Sequence, residues 1–101
     1  MDPDRDSTVV TVHVAKLEKM VRIRLDYSRQ SRTIRYIRIT GDFFMHPEDS
    51  IDGLEEGLLG TELERDALRQ RISSALAGTR CFGFDAESLT GAILDAGGDA
   101  P

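Results

Sequence analysis

At Gly41 the chain changes its period, and the residues on either side are arranged around that change. Before it, apolar and polar residues alternate as they do in strands; after Pro47 the apolar residues recur at helical spacing. Gly41 has no Cβ and lets the chain leave a sheet abruptly. Pro47 fits the first turn of a helix, where its missing N–H would have had no partner. Glu48, Asp49 and Asp52 place negative charge near the positive end of the helix dipole. Between these marks stand Phe43 and Phe44, half of the chain's four phenylalanines. If strand geometry persists through them, successive side chains point to opposite faces, so one ring enters the core and the other faces outward. An outward Phe needs a covering element or a partner.

Upstream of Gly41 the alternation defines three strands. Val10, Val12 and Val14 alternate with Thr11 and His13, which predicts a strand from about Thr8 to Val14, with a turn over Ala15 to Lys19. Val21, Ile23 and Leu25 alternate with Arg22, Arg24 and Asp26, a second strand whose other face is cationic. Ser28 to Arg32 is a polar connection of hairpin length. In the third strand, about Thr33 to Thr40, the pattern slips phase: Ile34 and Tyr36 share one parity, Ile37 and Ile39 the other. A β-bulge near Arg35 and Tyr36 reconciles them. Three short strands with short links predict an antiparallel meander.

Downstream, the spacing predicts three helices. The first, about Pro47 to Leu59, carries Ile51, Leu54 and Leu58 on one stripe and ends at Gly60. Gly53 and Gly57 inside it suggest close packing on the sheet, with ligand approach the lesser alternative. Thr61-x-x-Glu64 reads as a capping box opening a second helix, which buries Leu63, Leu68, Ile72 and Leu76 and is closed by Gly78. Asp85 is a good N-cap for a third, with Leu89, Ala92, Ile93 and Ala96 on its apolar side. The fold class is therefore α+β: a three-stranded antiparallel meander with about three helices packed on one face. Residues 1–7 read as a disordered lead, 8–96 as one domain, and 97–101 as a frayed tail.

With 101 residues there is room for one modest core and not for two. The apolar run from Val9 to Val14 is too short to span a bilayer, and the acidic start lacks a signal pattern, so a cytoplasmic location without membrane attachment is expected. Charge is uneven. Residues 1–41 hold 9 Lys/Arg against 5 Asp/Glu, whereas residues 42–101 hold 4 against 13. Cationic strands pairing with anionic helices is the favoured reading; a basic sheet face meeting an acidic or phosphate-bearing surface is the functional alternative. Nucleic acid is disfavoured, because the net charge is −5 and only Tyr27 and Tyr36 interleave the arginines.

Catalytic chemistry finds no set of residues here. There is no Ser-His-Asp arrangement, dinucleotide-binding glycine turn or phosphate-binding loop. His13 and His46 lack the spacing of a zinc site; His46 reads as a cap for the helix begun by Pro47. Asp42 reads as an acceptor for helical N–H groups across the turn. Cys81 is the only cysteine, so no internal disulfide forms. It sits in a loop-like link beside Arg80, where a cation favours thiolate, so a sulfur-carrier or sulfur-acceptor role is one alternative; a general protein-interaction module is another.

The composite Ile37-Arg38-Ile39-Thr40-Gly41-Asp42-Phe43-Phe44-Met45-His46-Pro47-Glu48, then Ile51, Leu54-Glu55 and Leu58-Leu59-Gly60, resembles the C-terminal accessory domain of lipoate–protein ligases. It is similar in particular to the archaeal type, in which that domain is a separate small subunit. The resemblance runs from about Lys19 to Gly60. Where family members often carry a Gly-Gly-Lys turn, this chain has Leu17-Glu18-Lys19, and only the lysine agrees. The resemblance implies a fold similar to the sulfur-acceptor and iron–sulfur scaffold proteins. It implies a non-catalytic subunit that enables or stimulates ATP-dependent lipoate adenylation by a catalytic partner. That partner would hold ATP, Mg and lipoate, and would meet the lipoyl acceptor domain, which this chain touches only indirectly. Asp42, Phe43, Phe44 and His46 are the expected docking residues, and Lys19 the candidate for contact near the nucleotide.

Overall fold

The computed structural model describes residues 7–98. Residues 1–6 of the expected lead and residues 99–101 of the expected tail lie outside the described residues. Of the lead, Ser7 is included, and its carbonyl accepts from Arg29 N at 2.9 Å.

Strands β1 (Thr8–Lys16), β2 (Met20–Ser28) and β3 (Ile34–Gly41) form an antiparallel sheet in the order β1-β2-β3. Two further strands, β4 (Phe44–His46) and β5 (Arg80–Phe82), pair as a separate ribbon. Helices α1 (Ser50–Leu58), α2 (Arg65–Leu76) and α3 (Ala86–Ala96) complete the α+β fold. α1 lies against β3, α3 lies against β1 and β2, and α2 packs on both helices. The alternation in β2 has its expected consequence: Val21, Ile23 and Leu25 are fully buried, while Arg22 and Arg24 are exposed. Against them pack Ile37 and Ile39 of β3, Leu54 and Leu58 of α1, Leu68 and Ile72 of α2, and Leu89 and Ile93 of α3. Each such side chain contributes roughly 1.5–3 kcal/mol by leaving water.

The phase slip in β3 is a bulge. Tyr27 pairs with Ile34 and Asp26 with Tyr36, leaving Arg35 as the extra residue. The outer edge of β3 is closed by α1 and the residues just beyond that helix. Glu55 Oε2 accepts from Ile39 N at 2.8 Å, Gly60 N donates to Ile34 O at 2.8 Å, and Ile34 N donates to Thr61 O at 2.9 Å. With Ile34 and Ile39 N engaged and α1 lying against β3, this edge is a poor template for another strand.

Several local expectations are corrected. His46 is still paired with Arg80, so the chain must turn before a helix can begin. α1 therefore starts at Ser50 rather than Pro47, and His46 caps nothing; Asp49 is the N-cap, with no side-chain cap bond. The His46–Pro47 peptide is cis. The Thr61 capping box does not form either. Thr61 is buried at the edge of β3, and Glu64 is itself the N-cap, accepting from Asp66 N and Ala67 N. Gly53 and Gly57 do not mark close packing, since a Cβ at either position would meet nothing within 4 Å. The cationic and anionic segments are not simply apposed: Arg22 and Arg24 lie on the sheet face away from the helices. Arg24 pairs there with Asp26 at 3.3 Å and lies over the Tyr36 ring at 5.5 Å. At α3 the expectation holds. Asp85 Oδ1 accepts from Ser88 N at 2.8 Å and Asp85 N donates back to Ser88 Oγ at 3.0 Å, a complete capping box.

Candidate functional site

All four phenylalanines of the chain converge at one end of the sheet. The convergence begins with β4 and β5, three residues each, whose alternation sorts the side chains. Phe44 and Phe82 are cross-strand partners, as are His46 and Arg80, and all four are exposed; Met45 and Cys81 face each other on the inner side. Met45 is buried and anchors the ribbon. The Phe44 and Phe82 rings lie 6.2 Å apart and are 53% and 58% exposed, a solvent-facing aromatic pair held on paired backbone.

Phe43 turns the other way. Its ring meets Phe84 edge-on at 5.2 Å, and it is half-buried against the core while Phe44 is exposed. The opposite orientation of two successive rings is what strand geometry demands. Gly83 sits between these rings and the β1–β2 turn. Its carbonyl accepts from Lys19 N at 3.1 Å, and a Cβ on it would stand 2.7 Å from Phe43 Cβ and 3.3 Å from Lys19 Cβ. Its φ of +124° belongs to a region that glycine alone enters readily. Gly41, at φ +145°, is equally confined: a Cβ there would run into the carbonyl oxygen of Met20.

The structure therefore brings Lys19, Asp42, Phe43, Phe44 and His46 to one end of the molecule. Lys19 and Phe43 meet through Gly83. Asp42 enters through its backbone, with N donating to Met20 O at 2.9 Å. Its carboxylate is exposed and caps no helix, which corrects the expected acceptor role. From this end a groove of about 300 Å³ runs along β3, lined by Arg38, Thr40, Phe43, Ile51, Asp52 and Glu55.

Phe82, Gly83 and Phe84 are not legible as site residues in the sequence, because β5 is too short to show a period. The available signal is composition: a glycine between two phenylalanines, in a chain whose other two follow Gly41 by two and three positions. Cys81 belongs to β5 and not to a loop. Its Sγ donates to Phe84 O at 3.4 Å, and burial, helped by the carboxylates of Asp85 and Glu18, pushes its thiol upward. That direction is opposite to what a thiolate nucleophile requires. Among the described residues no three His, Cys, Asp or Glu side chains gather to hold a metal ion, and no helix is long and apolar enough to cross a membrane.

Comparison with known proteins places these features. Residues 15–93 match a family model described as "Bacterial lipoate protein ligase C-terminus". Over 46 residues the chain is 46% identical to lipoate-protein ligase A subunit 2 of Thermoplasma acidophilum; the aligned stretch covers 46% of this chain and spans about half, 47%, of that relative. The fold is similar, at a TM-score of 0.68 and 30% identity, to a chain in a structure described as an archaeal lipoylation system. That system is a bi-partite lipoate protein ligase with its E2 lipoyl domain from the same organism. The likeness covers 87% of this chain and 96% of the other.

Proposed function

This chain belongs to the bacterial lipoate protein ligase C-terminus family, and from that premise we propose that it is the non-catalytic accessory subunit of a two-part lipoate–protein ligase. Its partner is the catalytic subunit, which binds ATP, Mg and lipoate and forms lipoyl-adenylate. The accessory subunit enables or stimulates that step. Contact with the lipoyl acceptor domain is indirect, through the catalytic subunit.

The observation that carries this reading is the Phe44–Phe82 pair. Two large rings, more than half exposed, stand on paired strands whose inner side is anchored by Met45. Their exposed surface adds little to folding of the isolated chain, whereas burying it against a partner favours association, and aromatic anchors of this kind dominate interface energies. Adenylate formation needs the attacking carboxylate held in line with the α-phosphate while water is excluded. A small domain supplies this indirectly, by docking the aromatic end and ordering the partner's loops around the nucleotide. Asp42 and His46 flank the rings as polar rim, and Lys19, whose backbone N donates to Gly83 O, is the candidate for contact near the nucleotide.

The test is co-purification of the tagged chain from native extract, with identification of what is bound. The expected result is the catalytic subunit in the wild-type sample and its loss from a Phe44→Ala, Phe82→Ala variant that remains folded. Recovery of the same partner by that variant would remove the aromatic pair from the interface.

A further inference from the structure

The two edges of the sheet are treated differently. On β3 the outward Ile34 N, Ile34 O and Ile39 N meet Thr61, Gly60 and Glu55; on β1 no outward group meets a partner among the described residues. Which residues of β1 point outward is set by the ladder. Ile39 N points away from β2, toward Glu55, so its partner Ile23 bonds to β1 instead. Thr11, His13 and Ala15 therefore bond inward to β2, and the N–H and C=O groups of Val10, Val12 and Val14 point out of the sheet. The bonds at both ends agree with this phase: Arg29 N to Ser7 O, and Leu17 N to Lys19 O. The same three valines have their side chains on the face away from the helices, 55%, 53% and 54% exposed. Thr11, on the other face, donates to Ala96 O of α3 at 2.9 Å, so α3 lies under β1 and not across its edge. Nine residues of strand, without a proline, a bulge or a covering element among the described residues, are an open template.

We propose that β1 pairs with β1 of a second copy of this chain, antiparallel about a two-fold axis at Val12, giving a continuous six-stranded sheet. The strand is complementary to itself in this register. Val12 faces Val12, Val10 faces Val14, Thr11 faces His13, Val9 faces Ala15, and Thr8 faces Lys16. No like charges stand opposite one another, and β-branched residues meet across the seam, the favourable kind of cross-strand pair. A symmetric contact of this type closes on itself at two copies. The edge is distinct from the aromatic ribbon, so a copy paired here keeps its Phe44–Phe82 surface free.

The experiment is sedimentation of the whole chain over a wide concentration range. The average mass should rise from 11.2 kDa toward twice that value. Val12→Pro removes an outward N–H from each copy while leaving the β1–β2 bonds untouched, a position where an edge strand tolerates proline. It should weaken association by at least about tenfold, with an unchanged circular-dichroism spectrum, and Val12→Thr should associate like the wild type. Should the proline variant fail to fold, amide exchange of the wild type decides: the N–H groups of residues 10, 12 and 14 should gain protection as concentration rises. A mass of 11.2 kDa throughout, association unaffected by the proline, or protection that appears only with the catalytic subunit would each overturn the proposal.

Discussion

Gly83 and Phe43 meet so closely that residue 83 has no room for a side chain: a Cβ there would lie 2.7 Å from Phe43 Cβ and 3.0 Å from its Cα. This contact joins the end of β3 to the end of β5 and sets which way the next ring, Phe44, must point. Gly83→Ala should therefore combine backbone strain with a collision and destabilise by about 1–3 kcal/mol or more. Gly78 also has a positive φ, +76°, but open space around it. Gly78→Ala should cost only about 1–2 kcal/mol from the left-handed backbone. Denaturant unfolding of the two variants checks the difference.

Successive phenylalanines should have opposite phenotypes. Phe44→Ala and Phe82→Ala should leave the unfolding midpoint nearly unchanged and weaken binding to the catalytic subunit, by about 2 kcal/mol at an interface centre. Phe43→Ala removes a ring packed on Phe84 and should destabilise the fold itself by roughly 1–3 kcal/mol. Calorimetric binding beside thermal unfolding separates the two effects.

Asp85 caps α3 as a carboxylate, and its bonds from the Ser88 backbone and side chain hold its pKa below the usual carboxylate value. A carboxyl with a lowered folded-state pKa stabilises above its unfolded pKa, and that contribution is lost as pH falls through the folded one. Asp85→Ala should cost about 1 kcal/mol near neutrality. The gap to wild type should shrink as pH drops below the ordinary carboxylate range, which a pH series of unfolding curves measures.

Cys81 should be dispensable for chemistry. Cys81→Ser is expected to leave lipoylation by the complex intact, since the thiol is held protonated on the inner side of β5. The raised pKa also makes the folded thiol slow toward alkylating reagents at neutral pH, with reactivity appearing as pH rises. Loss of activity in the serine variant, with fold and complex preserved, would restore a sulfur role.

The sequence makes some of these relationships legible and hides others, for physical reasons. Buried β2 is readable because one face is fully apolar and the other cationic. The β3 bulge is readable because one inserted residue shifts Ile37 and Ile39 out of phase with Ile34 and Tyr36. The opposed orientation of Phe43 and Phe44 comes from the same pleat. The ribbon is hidden because three-residue strands carry no measurable period; that conceals Phe82, and with it half of the aromatic pair. Pro47 misleads because a proline suits a helix start and also the turn before one, and only the His46–Arg80 pairing decides between them. Thr61 and Glu64 have the spacing of a capping box, but the backbone of Thr61 is committed to closing β3.

The proposed action of this subunit on adenylate formation is tested by measuring both half-reactions of the catalytic subunit with and without this chain. Lipoate adenylation should be enabled or stimulated about tenfold or more, while transfer from pre-formed lipoyl-adenylate to the acceptor should depend on the chain much less. Full adenylation without it, or a requirement confined to the transfer step, would rule out a role of this subunit in adenylate formation.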